Sequence, residues 1–396
     1  MQQKIITRTV VLLGTVSLLT DVASEMLYPV MPLYLESIGF TVAGIGVLEG
    51  VASATAGLSK GYFGQWSDRT GRRLPFVQIG YGISALAKPL MAVFTAPWWV
   101  FLARTAERLG KGVRTGGRDA MLAGAARPET RARVFGFHRA MDTTGAALGP
   151  LLALGFLWAY PGQYRWLFII SVVPGLLAVA ATLLLREQPV MPQAGGRPGI
   201  LEFIRYIRTA AGPYRRLFGG LIAFALINSS DLFLLLMLKE AGLSDTALIG
   251  WYVFYNLVYA VLAYPFGGLA DRFGPKRVYI GGLLVFAAVY LGLSQAVAWW
   301  HFGALFAAYG LYAAATEGVA KAWISRLVPL RETGTAIGTV SAGESVASLV
   351  ASSLAGVVWI TFGADVLFAG TALLTLLVAA YISSLSSATT PPSGTP

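Results

Sequence analysis

A charged, glycine-punctuated turn occurs twice in this chain, and that repeat constrains the architecture more than any other feature. The first copy reads Gly64-Gln-Trp-Ser-Asp68-Arg69-Thr-Gly71-Arg72-Arg73, and the second Gly267-Gly-Leu-Ala-Asp271-Arg272-Phe-Gly274-Pro-Lys276-Arg277. Each follows one apolar segment and precedes another, and Asp68 and Asp271 stand 203 residues apart in a chain of 396. This spacing implies two similar halves of several helices each. Parallel repeats about an axis along the membrane normal are one of the recurring layouts of secondary transporters.

The rest of the chain supports that reading. Apolar segments recur from 9–35 to 364–385, each roughly 20 residues and long enough to cross ~30 Å of hydrocarbon. Hydrophobic residues make up 56% and charged residues only 12%, about half the charged share of a soluble domain. The expected fold is an all-α integral membrane protein with twelve transmembrane helices in two pseudo-symmetric six-helix bundles. The bundles cover 1–186 and 215–385. The connection 187–214 opens with Pro189, Pro192, Gly195, Gly196 and Pro198, then alternates apolar and basic residues at helical spacing, as a membrane-surface helix would. The tail 386–396, rich in Ser, Thr and Pro, is expected to be disordered. The first segment carries Asp21 and Glu25, then Pro29 and Pro32, and is read as a retained span rather than a signal peptide. The chain has no cysteine, which excludes disulfides and thiolate chemistry. His138 and His301 are too few and too separated for a histidine-rich metal cage.

A net charge of +11 could suggest nucleic acid, but its distribution points to membrane orientation. With twelve spans, the loops on the side of the termini hold 17 basic residues, and the opposite loops only Arg165 and Lys239. Both termini are therefore expected in the cytoplasm, and the chain in a bacterial inner (plasma) membrane. Trp98, Trp99, Trp158, Trp299 and Trp300 fall at span ends on the other face, as interfacial aromatics do.

The turn Gly64-x-x-x-Asp68-Arg69-x-Gly71-Arg72-Arg73 resembles the loop between spans two and three of the major facilitator superfamily. The span count, the midpoint connection and the weaker copy at 267–277, where Pro275 stands in place of Arg72, are similar to that family across nearly the whole chain. The resemblance implies a gating role for Gly64, Asp68, Arg69, Gly71, Arg72 and Arg73, and for Gly267, Asp271, Arg272 and Gly274. In the fifth span, Gly136, Gly145, Gly149 and Pro150 resemble the start of the pattern G-x8-G-x3-G-P of proton-coupled exporters, although Ala153 and Leu154 replace its closing glycines. Generic small-residue packing is the alternative. In the fourth span, Arg108-x-x-Lys111-Gly112 is similar to the family's basic motif at Arg108 and Gly112.

Charges inside the spans carry the rest of the argument, because each costs about 2.5–3.5 kcal/mol at a helix centre and demands a partner or a wet cavity. Asp21 and Glu25 share a face of span one. Arg104, Arg108, Lys111 and Arg118 lie in one stripe of span four. Arg139 and Asp142 are neighbours on span five, with His138 beside them. Asn228 and Asp231 share a face of span seven, and Glu344 stands in span eleven. Glu317 and Lys321 have the spacing of a helical ion pair, equally suited to structure or to substrate contact. Arg118 and Asp119 are expected to join the gate at Asp68, while Lys60 and Glu49 can snorkel to the interfaces. Candidates for the substrate or proton pathway are Asp21, Glu25, Arg104, Arg108, Arg139, Asp142, Asp231, Glu317, Lys321 and Glu344.

The expected function is secondary transport by alternating access, moving a small polar solute, anionic or zwitterionic, or a drug. Proton-coupled efflux is favoured over proton-coupled import, with the acids of span one carrying the coupling proton. No phosphate-binding loop points to direct ATP use, and no nucleophile–His–acid set or metal motif points to a membrane enzyme. A non-transporting receptor fits poorly with charges in both halves. The expected partners are the solute, protons and the lipid bilayer, with no cofactor, no metal and no nucleic acid, acting as a monomer.

Overall fold

The structure is a computed structural model that describes residues 5–28, 30–187, 190, 192, 196–294 and 299–385. The tail 386–396 and parts of the connection lie outside the described residues. The described chain is helical throughout. Its helices are α1 (Arg8–Glu25), α2 (Met31–Ser37), α3 (Val42–Thr70), α4 (Leu74–Val93), α5 (Pro97–Gly124), α6 (Arg131–Ala159), α7 (Tyr164–Ile170) and α8 (Val172–Leu183). They continue as α9 (Glu202–Thr209), α10 (Gly212–Ala225), α11 (Leu232–Glu240), α12 (Asp245–Phe273), α13 (Pro275–Leu293), α14 (Trp299–Leu327), α15 (Thr333–Phe362) and α16 (Ala364–Ser384).

The sequence repeat is carried into local structure. Thr41 and Ser244 cap α3 and α12, accepting from Gly44 N at 3.1 Å and Ala247 N at 3.3 Å. Each satisfies an otherwise unpaired N–H of the first turn. Both helices run 29 residues and end at a glycine with positive φ, Gly71 at +64° and Gly274 at +91°. Side chains rarely take such angles, so these two positions need glycine to stop the helix and turn. A short 3-10 turn precedes α6 at Pro128–Thr130, and another precedes α15 at Leu330–Glu332.

Seven helical stretches among the described residues are long and apolar enough to cross a bilayer: Leu74–Val93, Pro128–Ala159, Tyr164–Leu183, Gly250–Phe273, Pro275–Leu293, Leu330–Phe362 and Ala364–Ser384. The other expected spans fall on helices that are interrupted or carry interior charge. The first is not one helix: α1 ends at Glu25 and α2 starts at Met31 with a proline in its first turn. The seventh is also broken, between Ala225 and Leu232. Ser229, Ser230 and Asp231 there favour local bonds over helix continuation. Asn228 and Asp231 therefore do not share a helical face, contrary to the sequence expectation.

The chain forms two compact units, each discontinuous in sequence. Unit 1 comprises 1–127, 141–207 and 330–342, and unit 2 comprises 128–140, 208–329 and 343–396. The first turns of α6 thus pack within unit 2, and the first turns of α15 within unit 1. In unit 1 a buried apolar cluster includes Leu35, Leu48, Met91, Val100 and Phe168. In unit 2 Phe286 stacks on Tyr290 with ring centres 4.1 Å apart, and Phe224 meets Phe286 edge-on at 5.2 Å.

Candidate functional site

Glycines set the geometry of the two repeated turns. A Cβ on Gly64 would sit 2.4 Å from the Gly334 carbonyl oxygen, and one on Gly116 would sit 2.6 Å from Gly64 Cα. Within unit 1, α3, α5 and the start of α15 therefore meet backbone to backbone. That approach puts Asp68 against the first turn of α15. Its carboxylate accepts from Thr335 N at 2.6 Å, Thr335 Oγ1 at 3.0 Å and Arg73 Nη2 at 3.0 Å. Arg73 also donates to the Leu330 carbonyl at 2.5 Å. A carboxylate suits this place because the N–H groups and dipole of a helix start favour negative charge. Asp68 lies beyond the expected span 42–66, and burial pushes its carboxyl up to about 6 against the pull of Arg73 and the Thr335 donors.

The second copy repeats the design within unit 2. Gly267 lies where a Cβ would be 2.4 Å from the Ala132 carbonyl oxygen. Asp271 accepts from Ala132 N and Arg133 N, both at 3.0 Å, and from Arg326 Nη2 at 2.6 Å. Each aspartate thus caps a helix brought in from far along the chain. Arg69 pairs with Glu202, Gly71 and Gly274 terminate their helices, and Arg72 and Arg272 are exposed, with Arg272 over the Phe273 ring at 5.1 Å. Arg118 pairs with Asp119 at 2.9 Å rather than with Asp68, whose basic partner is Arg73.

The exporter-like glycines divide between the units. Gly136 packs in unit 2, where a Cβ would be 2.4 Å from the Ala263 carbonyl oxygen of α12. Gly145 and Gly149 pack in unit 1 against α1: a Cβ on Gly145 would meet Leu18 O at 2.5 Å and Asp21 Cβ at 3.0 Å. One on Gly149 would meet Met26 N at 2.6 Å and Glu25 Cβ at 2.9 Å. The small residues therefore bring α6 onto the acidic face of α1. Asp142 bonds to Asp21 side chain to side chain, and also takes the Ser17 hydroxyl. Pro150 follows inside α6, one residue beyond Gly149.

Beside this contact, α5 presents its basic stripe to a polar cavity lined by Glu25, Lys88, Arg104, Glu107, Arg108 and Lys111, with Ser24, Leu27, Tyr28 and Met91 completing the wall. Arg104 forks onto Glu49, Nε at 2.8 Å and Nη2 at 3.0 Å, and gives Nη1 to Glu107 at 3.1 Å. Arg108 lies 3.6 Å from Glu107 and 3.8 Å from Glu49. Glu49, its side chain 34% exposed, is thus the partner of Arg104. Lys88, 2% exposed, donates to the Ser84 carbonyl at 3.2 Å. Gly112 lets α5 approach α3, since its Cβ would be 2.3 Å from Ser59 Cβ. Sequence reasoning did not shortlist Glu49, Lys88, Glu107 or Lys111. Glu107 was accessible from its three-residue offset from Arg104, whereas the pairing of Glu49 with Arg104, 55 residues apart, leaves no local trace.

In unit 2, Arg139 pairs with Glu317, an arrangement half open to solvent. Asp231 sits at the start of α11, where its two oxygens accept from Tyr309 OH at 2.6 Å and Tyr255 OH at 2.9 Å. Asn228 donates to Tyr312 OH at 3.2 Å. Lys321 lies half-buried on α14, one turn beyond Glu317, and Glu344 half-buried on α15. Arg139 belongs to unit 2 and Asp142, three residues further along α6, to unit 1.

The sequence profile described as Major Facilitator Superfamily matches residues 13–254 and 217–396. An uncharacterised MFS-type transporter of Methanocaldococcus jannaschii is 31% identical over 363 residues, covering 89% of this chain and 89% of that protein. Multidrug resistance protein MdtH of Cronobacter sakazakii is 24% identical over 66% of this chain and 64% of its own length. Among solved structures, the human organic anion transporter MFSD10 (TETRAN) superposes with a TM-score of 0.75 at 18% identity, over 95% of this chain and 99% of that one. A helical chain with two capped, glycine-packed turns and charge inside its spans, matched along its length in this way, is an integral membrane transporter and not an enzyme, and it belongs to the major facilitator superfamily.

Proposed function

We propose that this protein exports a small polar solute, anionic or zwitterionic, in exchange for protons, by alternating access of twelve spans arranged as six and six. The observation that carries this reading is the unit 1 charge cluster, where Arg104, Arg108, Lys111 and Lys88 converge next to the carboxyl groups of Glu25 and Glu107 around a water-sized cavity. The guanidinium fork of an arginine matches a substrate carboxylate or phosphate. The hydrogen-bonded Asp21–Asp142 pair lies within the field of Lys111 and Glu25, and a bond between two carboxyl groups needs a proton between their oxygens. Binding of an anion at Lys111 or Arg108 changes the charge facing that proton, which is a physical route to coupling. Export is supported by the Gly145–Gly149 packing against α1 and by the likeness to a multidrug resistance protein. Asp68 and Asp271, each capping a helix start, are the contacts that alternate access has to break and remake. The excess of basic residues in the loops on the side of the termini supports a cytoplasmic position for both termini, and we assign the protein to a bacterial inner membrane.

The test is a paired assay in proteoliposomes, following internal pH by dye and exchange by labelled solute. Candidate anions and zwitterions are first ranked by how far they raise the melting temperature of the purified protein. The Asp21→Asn/Glu25→Gln double variant and Asp142→Asn are each expected to abolish solute-driven proton movement while leaving part of the solute exchange. Proton movement at the wild-type ratio in both would sink the assignment of coupling to this cluster. Absence of counterflow for every solute that stabilises the protein would sink the substrate reading.

A further inference from the structure

Helix α9, in the connection between the two sets of spans, has two faces that do different things. Viewed down its axis, Phe203 and Tyr206 point one way and Leu201, Ile204, Arg205 and Arg208 the other. The first face is occupied. Phe203 is 3% exposed and seats its ring on α3, where Gly61 leaves the room: a Cβ there would be 2.5 Å from the ring. The Phe203 carbonyl accepts from Thr339 Oγ1 at 3.4 Å, and Tyr206 OH donates to Glu332 Oε2 at 3.1 Å. The approach to the helix is held as well. Arg197 donates to Tyr62 OH at 2.8 Å and lies 4.7 Å above the Trp66 ring, and Arg69 donates to the Gly196 carbonyl at 3.1 Å. Within unit 1, α9 therefore grips α3 and the first turns of α15 together, next to the Asp68 cap.

The second face is open. Leu201 is 53% exposed and Ile204 46%, with Ile200 at 76% just ahead of them, and Arg205 and Arg208 are exposed beside them. Apolar side chains flanked by arginines on one helical face match the boundary between acyl chains and headgroups, not water. Position agrees. α9 ends at Thr209 and α10 begins at Gly212, so the helix lies within about 10 Å of a chain segment entering the bilayer. The positive charge selects among lipids, since arginines near an anionic surface gain where neutral headgroups offer nothing comparable.

We propose that the open face of α9 is a docking surface for anionic phospholipid headgroups, with Arg205 and Arg208 on the phosphates and Leu201 and Ile204 below them. Because the opposite face grips α3 and α15, lipid charge sets how firmly that grip is held. This does not depend on which solute is carried or on its coupling.

The chain lacks cysteine, so an Ile204→Cys variant carries one environment-sensitive fluorophore at a unique site. The full-length labelled protein is reconstituted into nanodiscs of phosphatidylcholine, alone or with about one third phosphatidylglycerol, and probed with acyl-chain spin-label quenchers. Quenching is expected to rise with phosphatidylglycerol and to fall with added salt. Arg205→Gln and Arg208→Gln are each expected to weaken the lipid response about five-fold. Hydrogen exchange across 330–342 is expected to slow in the anionic discs for the wild-type arginines and not for the double arginine variant. A water-exposed label in both lipids overturns the docking surface. Equal quenching in both, unchanged by removing the arginines, overturns the selection for anionic lipid. Unchanged exchange across 330–342 overturns the link to the grip.

Discussion

The contact between α1 and α6 makes a sharp demand on Gly145. A Cβ there would lie 2.5 Å from Leu18 O, 3.0 Å from Asp21 Cβ and 3.1 Å from Val22 N. Two of these three neighbours are backbone atoms of a helix and cannot swing aside, so relief requires moving α1 away by the better part of an ångström. Overpacking of that kind costs about 1–3 kcal/mol. Gly155, ten residues further along the same helix, is the internal control, since a Cβ there meets nothing within 4 Å. Replacing a mid-helix glycine by alanine in open space gains about 0.5–1 kcal/mol. Gly145→Ala is therefore expected to lower the melting temperature of the purified protein, while Gly155→Ala leaves it unchanged or raises it; the backbone gain is common to both, so the gap is the overpacking cost of about 1–3 kcal/mol. Function should separate them as well. Displacing α1 lengthens the Asp21–Asp142 bond, so proton movement per solute should fall in Gly145→Ala and stay normal in Gly155→Ala. Indistinguishable melting and coupling in the two variants would refute the argument that α1 and α6 are held in contact by the glycine.

Further outcomes test the other contacts. Asp68→Asn should slow transport without reducing membrane insertion, and wild-type turnover in the inserted variant would remove the gating role. The Asp68 carboxyl is held at about 6 where it caps α15, above its ordinary 3.8. Acid therefore favours the capped arrangement, and the capped arrangement loses ground as pH rises through about 6, by at most about 3 kcal/mol. Hydrogen exchange across 330–342, corrected for its intrinsic pH dependence, should accelerate over that interval in the wild type and not in Asp68→Asn; equal profiles would contradict the assignment. Arg104→Ala removes the fork from the one-third-exposed Glu49 and one bond from the buried Glu107, which keeps Arg108 at 3.6 Å, so a loss of about 1.5–3 kcal/mol is expected in thermal melting. Arg104→Lys keeps the charge but not the fork, and should recover part of the stability with little of the transport. Full transport by the lysine variant would show that the bidentate geometry is not needed.

Much of the molecule was written in local sequence. Long apolar segments admit only helices in a bilayer, because every backbone N–H and C=O has to be paired inside the segment. Thr41 and Ser244 announce helix starts, and Gly71 and Gly274 announce helix stops, by the chemistry of the capping oxygen and of positive φ. The match of the two turns at Asp68 and Asp271 announced the repeat. What the tertiary structure decided was partnership. Arg139 met Glu317, Glu49 took Arg104, and Asp21 met Asp142. Asn228 and Asp231 fell in a break and turned to tyrosines of other helices. An ion pair is a relation between surfaces brought together by glycine-lined contacts such as Gly64 on Gly334 and Gly145 on Leu18. The sequence specifies each small residue, but the register in which two helices meet is a property of the packed whole.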